Sequence, residues 1–398
     1  MCGGIVTGRL RTLKINHISN SMNSRYLQRK LVEKWDSFVA PRRGNILARA
    51  VKRFKMCPDK KSPAQIRREM NMCEKFWHCS PLQYIRYDLY RKNKELSDHE
   101  LIDYIPEFFF FYLFLRFHDT SRWSVLLEDK NVTEHVFKSL QISQPDTIGK
   151  IIRGGLYTAN NREMAYKDFE RTLKEKDVKK LFVKPVDGKC GFGIFAFGKE
   201  NIGAYVSADK QTLTEEFLKN IGTHKNYIIQ VGIEQDKELN KIYSHSVNTF
   251  RIITENIQGN VRIICSILRV GKGGNFLDNS AQGGIVVKVD IYTGELGAVA
   301  STDDCDSYFR HPDSHYIFRD KKIVQWDAIK KFVLESAQKL PYFMYMGWDI
   351  ALTEKGPLAI ESNLQFALGH HQVVWGGLRE KFNIMAPRMY WNTRKILL

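Results

Sequence analysis

An α+β chain, helical at its N-terminal end and strand-rich beyond it, is predicted by three observations. Helix-start signals cluster between Ser62 and Phe117, where Ser62-Pro63, Ser80-Pro81 and Ser97 each precede helix-forming residues. From Leu181 onward, apolar runs of strand length alternate with Gly, Pro and Asp punctuation. Residues 342 to 366 read as two short apolar strands joined by a turn around Lys355, Gly356 and Pro357, and the rest of the chain is arranged around this hairpin.

In chain order, residues 1 to 50 are basic and weakly patterned, with a helical stretch from Asn23 to Val39 ending before Pro41. Ser62 to Phe117 carries several helices. Val132 to Leu140 has helical spacing and stops before Gln144-Pro145. Leu181-Phe182-Val183-Lys184-Pro185 and Gly193 to Phe197 bound a hairpin whose tip reads Asp-Gly-Lys-Cys-Gly-Phe from Asp187 to Phe192. A helix at Thr212 to Asn220 and a strand at Tyr227 to Val231 follow. Strands at Val247–Thr254, Val261–Val270 and Ile285–Asp290 form a second β region, Asp303 to Asp320 is an excursion loop, and Trp326 to Leu340 is a helix. Internal repeats and low-complexity tracts are absent.

Composition bounds the reading. At 398 residues and 43% hydrophobic content, the chain buries sizeable cores and divides into two or three domains. Residues 1–125 hold 24 Lys and Arg against 12 Asp and Glu, a net +12 of the total +17. That region suits a solvated helical surface, nucleic acid, an anionic membrane surface or an acidic glycan. The seven cysteines are odd in number and scattered, which fits a reducing cytoplasm, and Cys57, Cys73, His78 and Cys79 lack the paired spacing of a zinc site. The longest apolar run, Phe108 to Leu115, is far short of the ~20 residues that cross a bilayer. It reads as a buried helix or, alternatively, as an aromatic face resting on lipid headgroups.

The closing hairpin carries the first chemistry. Asp349 lies in its first strand, with Glu361 and Asn363 on the second, and the i, i+2 spacing of Glu361 and Asn363 puts them on one face. Two carboxylates and an amide oxygen are hard ligands that suit Mg²⁺ and leave positions for water and phosphate. The alternative is a solvated strand edge. Lys184 interrupts an apolar strand directly before the tip that holds Gly188, Gly191 and Gly193, whose backbone N–H groups can approach a polyphosphate closely. The bland reading of Lys184 is a snorkelling surface residue. Neither a G-x-x-x-x-G-K-[ST] run nor protein-kinase signatures are present.

Several separated segments together resemble the ATP-grasp superfamily, and most closely its sugar-transfer-associated branch. They are Glu128-Asp129-Lys130, Val183-Lys184-Pro185 with its glycine tip, Ser246 to Arg251, Asp278 to Gly284, His311-Pro312-Asp313, Gly347-Trp348-Asp349 and Glu361-Ser362-Asn363. The resemblance runs from about Leu127 to Phe382. It implies an ATP-grasp fold with a helical domain at 1–125, a first subdomain at 126–229 and a C-terminal subdomain at 230–398, ATP lying between the two subdomains. Lys130 and Lys184 would contact its phosphates. Gln230, Val231 and Ile233 would frame the adenine, with Glu234 or Glu238 on the ribose. Asn248, Asn279, Gly283 and Gly284 would line the nucleotide, and Asp349, Glu361 and Asn363 would hold Mg²⁺. Arg251 is the choice for phosphate or an acyl-phosphate intermediate and Arg269 for a substrate carboxylate, each against a structural salt bridge. His311 and Asp313 either bind substrate or organise their loop. Two departures stand out, Cys190 at the loop tip and Leu-Gln-Phe-Ala-Leu-Gly after Asn363.

The resemblance further implies an ATP-dependent carboxylate–amine ligase working through an acyl phosphate, modifying a sugar or precursor of a surface polysaccharide. Its expected partners are ATP with Mg²⁺, a carboxylate and an amine such as an amino sugar or amino acid, without stable nucleic-acid binding. An ATP-grasp kinase acting on a sugar is the enzymatic rival, and a basic nucleic-acid-binding or scaffold protein with a relic nucleotide site is the rival of another class. The expected location is cytoplasmic, with room for peripheral contact at the inner membrane surface.

Overall fold

The computed structural model describes residues 22–39, 46–118, 123–188, 191–200, 203–276, 278 and 283–392, with side chains from residue 26 onward. Helices α1 (Met22–Val39), α2 (Ile46–Met56), α3 (Pro63–Trp77), α4 (Leu82–Arg86) and α5 (Asp98–Asp103) open the fold. They lead into α6 (Glu107–Phe109), a π-helical turn at Phe110–Phe114 and α7 (Leu115–His118). The start signals act as read: the Ser62 side chain accepts from Gln65 N–H with Pro63 at the first turn, and Ser97 with Glu100 makes a reciprocal capping box. In the run from Phe108 to Leu115 all but the half-buried Phe111 and Tyr112 are buried, and those two pack against the same cluster, so the run is core. Cys73 and Cys57 lie in one apolar cluster and Cys79 in another, and among the described residues these cysteines and His78 do not bring their ligand atoms together.

After α8 (Val125–Glu128) and α9 (Lys130–Ser139), the first sheet is built from β1 (Thr147–Ile152), β2 (Gly155–Tyr157), β3 (Lys180–Pro185), β4 (Phe195–Lys199), β5 (Tyr205–Ser207) and β6 (Tyr227–Val231). Helices α10 (Tyr166–Glu175) and α11 (Glu215–Gly222) interrupt these strands. The order is β2-β1-β6-β3-β4-β5, antiparallel throughout. Ile151, Leu181, Val183, Phe197, Tyr227 and Ile229 form one core with Phe169 and Leu173 of α10 and Leu218 of α11. Strand alternation therefore sends Lys150, Ile228, Lys184 and Gln230 to the opposite face.

The chain crosses to the second sheet through a short linker. Gly232 N–H donates to Lys180 O at 2.7 Å, and Asp236 N–H donates to Leu352 O at 2.9 Å, so residues 232–236 tie one sheet to the other. After α12 (Lys237–Ile242) come β7 (Thr249–Ile257), β8 (Asn260–Val270), β9 (Ile285–Val289), β10 (Leu296–Ser301) and β11 (Ser307–Tyr308). Helix α13 (Trp326–Gln338) precedes β12 (Tyr345–Thr353) and β13 (Gly356–Asn363), and α14 (Gly369–Trp375) and α15 (Arg388–Asn392) follow them. The order β11-β10-β9-β8-β7-β12-β13 places the hairpin at one edge, beside β7. Thr353 pairs with Gly356, whose φ of +112° lies where glycine is favoured, making a two-residue turn at Glu354-Lys355 just ahead of the expected position.

The two faces of this second sheet differ in kind. Phe250, Ile252, Leu268, Trp348 and Ile350 pack under α13 with Trp326, Ile329 and Val333. On the other face Ile253, Cys265 and Tyr345 join Trp77, Phe109, Phe110, Phe114, Phe382 and Trp391 in a single cluster. The helical region thus shares a core with the second sheet and its C-terminal helices. No described helix is long and apolar enough to cross a membrane.

Candidate functional site

The site forms on the polar half of that same face, beside the buried aromatic cluster. In register across three strands, Glu361 pairs with Asp349 and Asp349 with Arg251. Directly opposed residues of an antiparallel ladder project to one side, so these three side chains stand in a row. Asn363, opposite Gly347, lies on the same face one step along. A Cβ at Gly347 would come within 2.8 Å of the Phe366 Cβ, so glycine lets that ring close over the strand.

Asp349 is buried between two guanidinium groups. Arg251 meets it in bidentate fashion through Nε and Nη2, the latter at 2.7 Å, and Arg269 Nη1 donates to both oxygens at 3.2 Å. Burial raises the Asp349 carboxyl, but Arg251 and then Arg269 reverse this and hold it below its usual range. Arg269 in turn donates from Nη2 to Asp278 at 2.8 Å, and Asp278 also accepts from the backbone N–H and the hydroxyl of Thr249. Burial pushes the Asp278 carboxyl up against the pull of Arg269. Asp278 starts one of the quoted motif segments, yet its role in seating Arg269 was not legible there.

The residues expected on the phosphate side come from the first sheet and from α9. Asp129 caps α9 by accepting from the N–H groups of Asn131 and Val132, which fixes Lys130 as the first helical residue. Lys130 Nζ donates to Gly188 O at 2.8 Å and lies 3.9 Å from Glu361 Oε2, linking the glycine-bearing tip to the closing hairpin. Lys184 Nζ donates to Gln230 Oε1 at 3.0 Å. Desolvation in the cleft, reinforced by Lys130 and opposed by Glu361, lowers the Lys184 ammonium to about 8. Gly191 and Gly193 have φ of +76° and +73°, turning the tip where a side chain would be strained. A Cβ on Gly188 would approach Pro185 Cγ to 2.9 Å.

Other residues fall into place or out of it. Val231 continues β6 and pairs with Leu181, Ile233 is half-buried, and Glu234 is exposed beside the linker. Glu238 accepts from the Val324 N–H at 3.3 Å, engaged with the segment ahead of α13 and so less suited than Glu234 to a ribose. Asn248 is fully buried and donates to the carbonyls of Leu239 and Tyr243, so its side chain braces its own loop. Asn279 lies outside the described residues. Gly283 has φ +92°, and a Cβ on Gly284 would sit 2.5 Å from Asp278 O, so these glycines let the loop fold back on Asp278. His311 lies 2.8 Å from Gly271 O through Nε2 and accepts from Asp313 and Ser314 N–H through Nδ1, while Asp313 accepts from Gly273 N–H. His311 and Asp313 organise their loop.

Two residues escaped the sequence reading. Lys150 shares a row with Ile228 and Lys184 and is fully buried, bonded to Glu134, His135 and Asn161. Glu134 lies one turn after Lys130 on α9, so Lys150 anchors the helix that presents Lys130. Nothing in Gly149-Lys150-Ile151 announces this. His371 of α14 lies 3.3 Å from the Arg251 carbonyl through Nε2, and desolvation with the Arg251 charge lowers it to about 3, leaving a neutral ring. The His370-His371 doublet was its only signal.

The donor set fits a hard divalent cation. Glu361 is half-buried and lies 3.9 Å from Lys130, and among the described residues no hydrogen bond holds the Glu361 carboxylate or the Asn363 carboxamide. Asp349 offers a third donor group beside them, a carboxylate whose two oxygens accept from Arg251 and Arg269 in this structure.

Solved structures similar in part include an L-amino acid ligase from Bacillus licheniformis, at 15% identity and TM-score 0.37 over 69% of this chain and 48% of that one. A D-alanine–D-alanine ligase from Bacillus anthracis shows 12% identity and TM-score 0.37 over 68% and 67% of the two chains. The biotin carboxylase domain of a 2-oxoglutarate carboxylase from Hydrogenobacter thermophilus shows 14% identity and TM-score 0.35 over 67% and 44%. The chain thus spans about half the length of the first and third of these. No curated protein matches the sequence significantly. The family model of sugar-transfer associated ATP-grasp proteins matches residues 113–384, which hold both sheets and every cleft residue described above, and the chain belongs to that family.

Proposed function

We propose that the cleft between the two sheets binds ATP with Mg²⁺ and activates a carboxylate for attack by an amine. The observation that carries this reading is the meeting of Lys184 from the first sheet and Lys130 from α9 with Glu361, in register with Asp349 and Arg251, on the second sheet. Lys130 and Lys184 bind the phosphates, Gln230, Val231 and Ile233 frame the base, and Glu234 takes the ribose. Glu361, Asn363 and Asp349 would hold Mg²⁺, which when bound neutralises charge on the transferring phosphoryl group.

In the first step a carboxylate oxygen of the substrate attacks the γ-phosphorus and ADP leaves. The amine nitrogen then attacks the acyl-phosphate carbon, inorganic phosphate departs, and the nitrogen loses a proton. Arg251 and Arg269 orient the anionic partners, since both are fixed in the cleft by Asp349 and Asp278. The substrate class that fits the family is a sugar or sugar precursor of a surface polysaccharide.

An ADP-release screen of amino acids against amino sugars, with mass spectrometry of the product, tests this. ADP and phosphate should appear only when carboxylate and amine are both present. ADP formed with a sugar hydroxyl alone, together with a phosphorylated product, replaces the ligase by a kinase. Binding of RNA or DNA without any ATP turnover replaces both.

A further inference from the structure

The basic excess is confined to a shorter stretch than the helical region. Residues 1–61 hold 15 Lys and Arg against 3 Asp and Glu, whereas residues 62–125 hold 9 of each. The whole +12 therefore belongs to the part of the chain that contains α1 and α2. In the balanced stretch Arg68, for one, is paired with Asp98 at 2.9 Å.

Among the described residues, the side-chain contacts that seat helix α1 on the rest of the fold lie along one side. Arg29 donates to the carbonyls of Tyr390 and Trp391, Tyr26 meets the Trp391 ring edge-on at 5.9 Å, and Lys30 Nζ lies 5.1 Å from the same indole. Glu33 accepts from Ser80 N–H at 2.8 Å. Across the helix, Leu27, Leu31 and Trp35 recur every four residues and are 60%, 64% and 62% exposed. That spacing puts them in one stripe, and Lys34 lies beside it. Helix α15, packed on α1, adds exposed Met389.

We propose that this stripe docks on an anionic lipid bilayer, with α1 lying in the interface plane and exposed Lys34, in a segment of net charge +12, meeting the phosphate headgroups. Charge by itself would suit a nucleic acid or an acidic glycan equally well. Two leucines and a tryptophan in a row have no role on a phosphate backbone, but they match the acyl boundary of a membrane, where Trp is enriched and a lysine can snorkel outward. With Arg29, Lys30, Glu33, Lys34 and Asp36 along its length, α1 lies on a bilayer and does not cross it. The surface falls outside the matched family segment and does not depend on the nucleotide cleft.

The test is co-sedimentation of the full chain with vesicles of phosphatidylcholine alone or mixed with phosphatidylglycerol. The wild type should sediment with the mixed vesicles and stay in solution with the neutral ones. The double substitution Leu31→Glu with Trp35→Glu should lose about tenfold or more in apparent affinity, because two apolar anchors become charged. Its unfolding midpoint should stay unchanged, since both side chains are exposed, and Trp35→Leu should keep binding. Equal binding of the double variant to mixed vesicles, or no binding of the wild type, overturns the proposal. So does a wild-type dimer that the double variant turns into a monomer, because the stripe would then be covered by a second copy.

Discussion

Lys184 carries its charge where water is scarce, and two predictions follow from it and its neighbour Glu361. Replacing Lys184 by Met keeps the stem and removes the ammonium, so ATP affinity should fall by roughly 1.5–3 kcal/mol, the range for a charged hydrogen bond. The pH dependence has a definite sign. With the folded-state group lowered to about 8 and the unfolded one near ~10.4, the unfolded chain binds more protons between these values, so this residue makes stability rise with pH across that window. ATP, in contrast, needs the ammonium, so titration calorimetry should show affinity falling as pH rises through about 8. A Lys184→Met protein that keeps the same slope assigns the pH effect to another group. Glu361→Gln should cut ATP consumption by ~100-fold or more while the unfolding midpoint holds, because Glu361 is half-buried and only weakly paired. Asp349→Asn is a poorer probe. It removes the carboxylate partner of Arg251 and leaves Arg269 with Asp278 alone, at a cost of about 3–5 kcal/mol, so lost turnover would mix chemistry with unfolding.

At the scale of the element, the loop from Gln235 to Asn248 shows how a motif residue can serve the frame. Gln235 donates to Asn240 and to the carbonyls of Tyr243 and Ser246 and accepts from Asn248 N–H, while Asn248 returns two donors to the loop. Asn248→Ala leaves the Leu239 carbonyl without that donor and removes one of two side-chain donors to Tyr243. The loss should be about 1–3 kcal/mol in denaturant unfolding, with the ATP dissociation constant little changed. A normal midpoint with weakened ATP binding would return Asn248 to the nucleotide. The hairpin behaves differently. Its register alone brings Glu361 beside Asp349, so slipping one strand by a single residue would send the ligand set to the α13 side.

Across the whole molecule, the aromatic cluster joins the helices before residue 118 to the second sheet and to the helices after residue 366. Phe110 lies in it, 1% exposed, against Phe114, Phe366 and Phe382. Phe110→Ala should cost about 3–5 kcal/mol, and the loss should appear in one transition shared by helices and sheet. Two separated transitions, with only the first shifted, would show that the helical region folds alone. Because this cluster abuts the polar half of the same sheet face, the helical region forms the wall next to Asp349 and Arg251.

The sequence by itself determined the types of the elements that carry the site, the order of the segments, and the same-face placement of Glu361 and Asn363, because strand and helix periods are local properties. Elsewhere β1, β2, α10, α12, β10, α14 and α15 went unread. Caps at Ser62 and Ser97 were equally local and equally legible. Family membership was readable for a related reason, since motif segments keep their order along the chain. The tertiary structure decided which of those residues meet. Asp278 under Arg269, Lys150 behind the helix of Lys130, and His371 against the Arg251 carbonyl each join segments separated by intervening elements, and no spacing along the chain encodes such contacts. It also decided the fate of Asn248 and Glu238, because an amide or carboxylate shows its partner only after the loop around it has closed. Burial settled the last distinction: the aromatic run at 108–115 and the stripe on α1 are both apolar in sequence, but only the first has a sheet face to cover it.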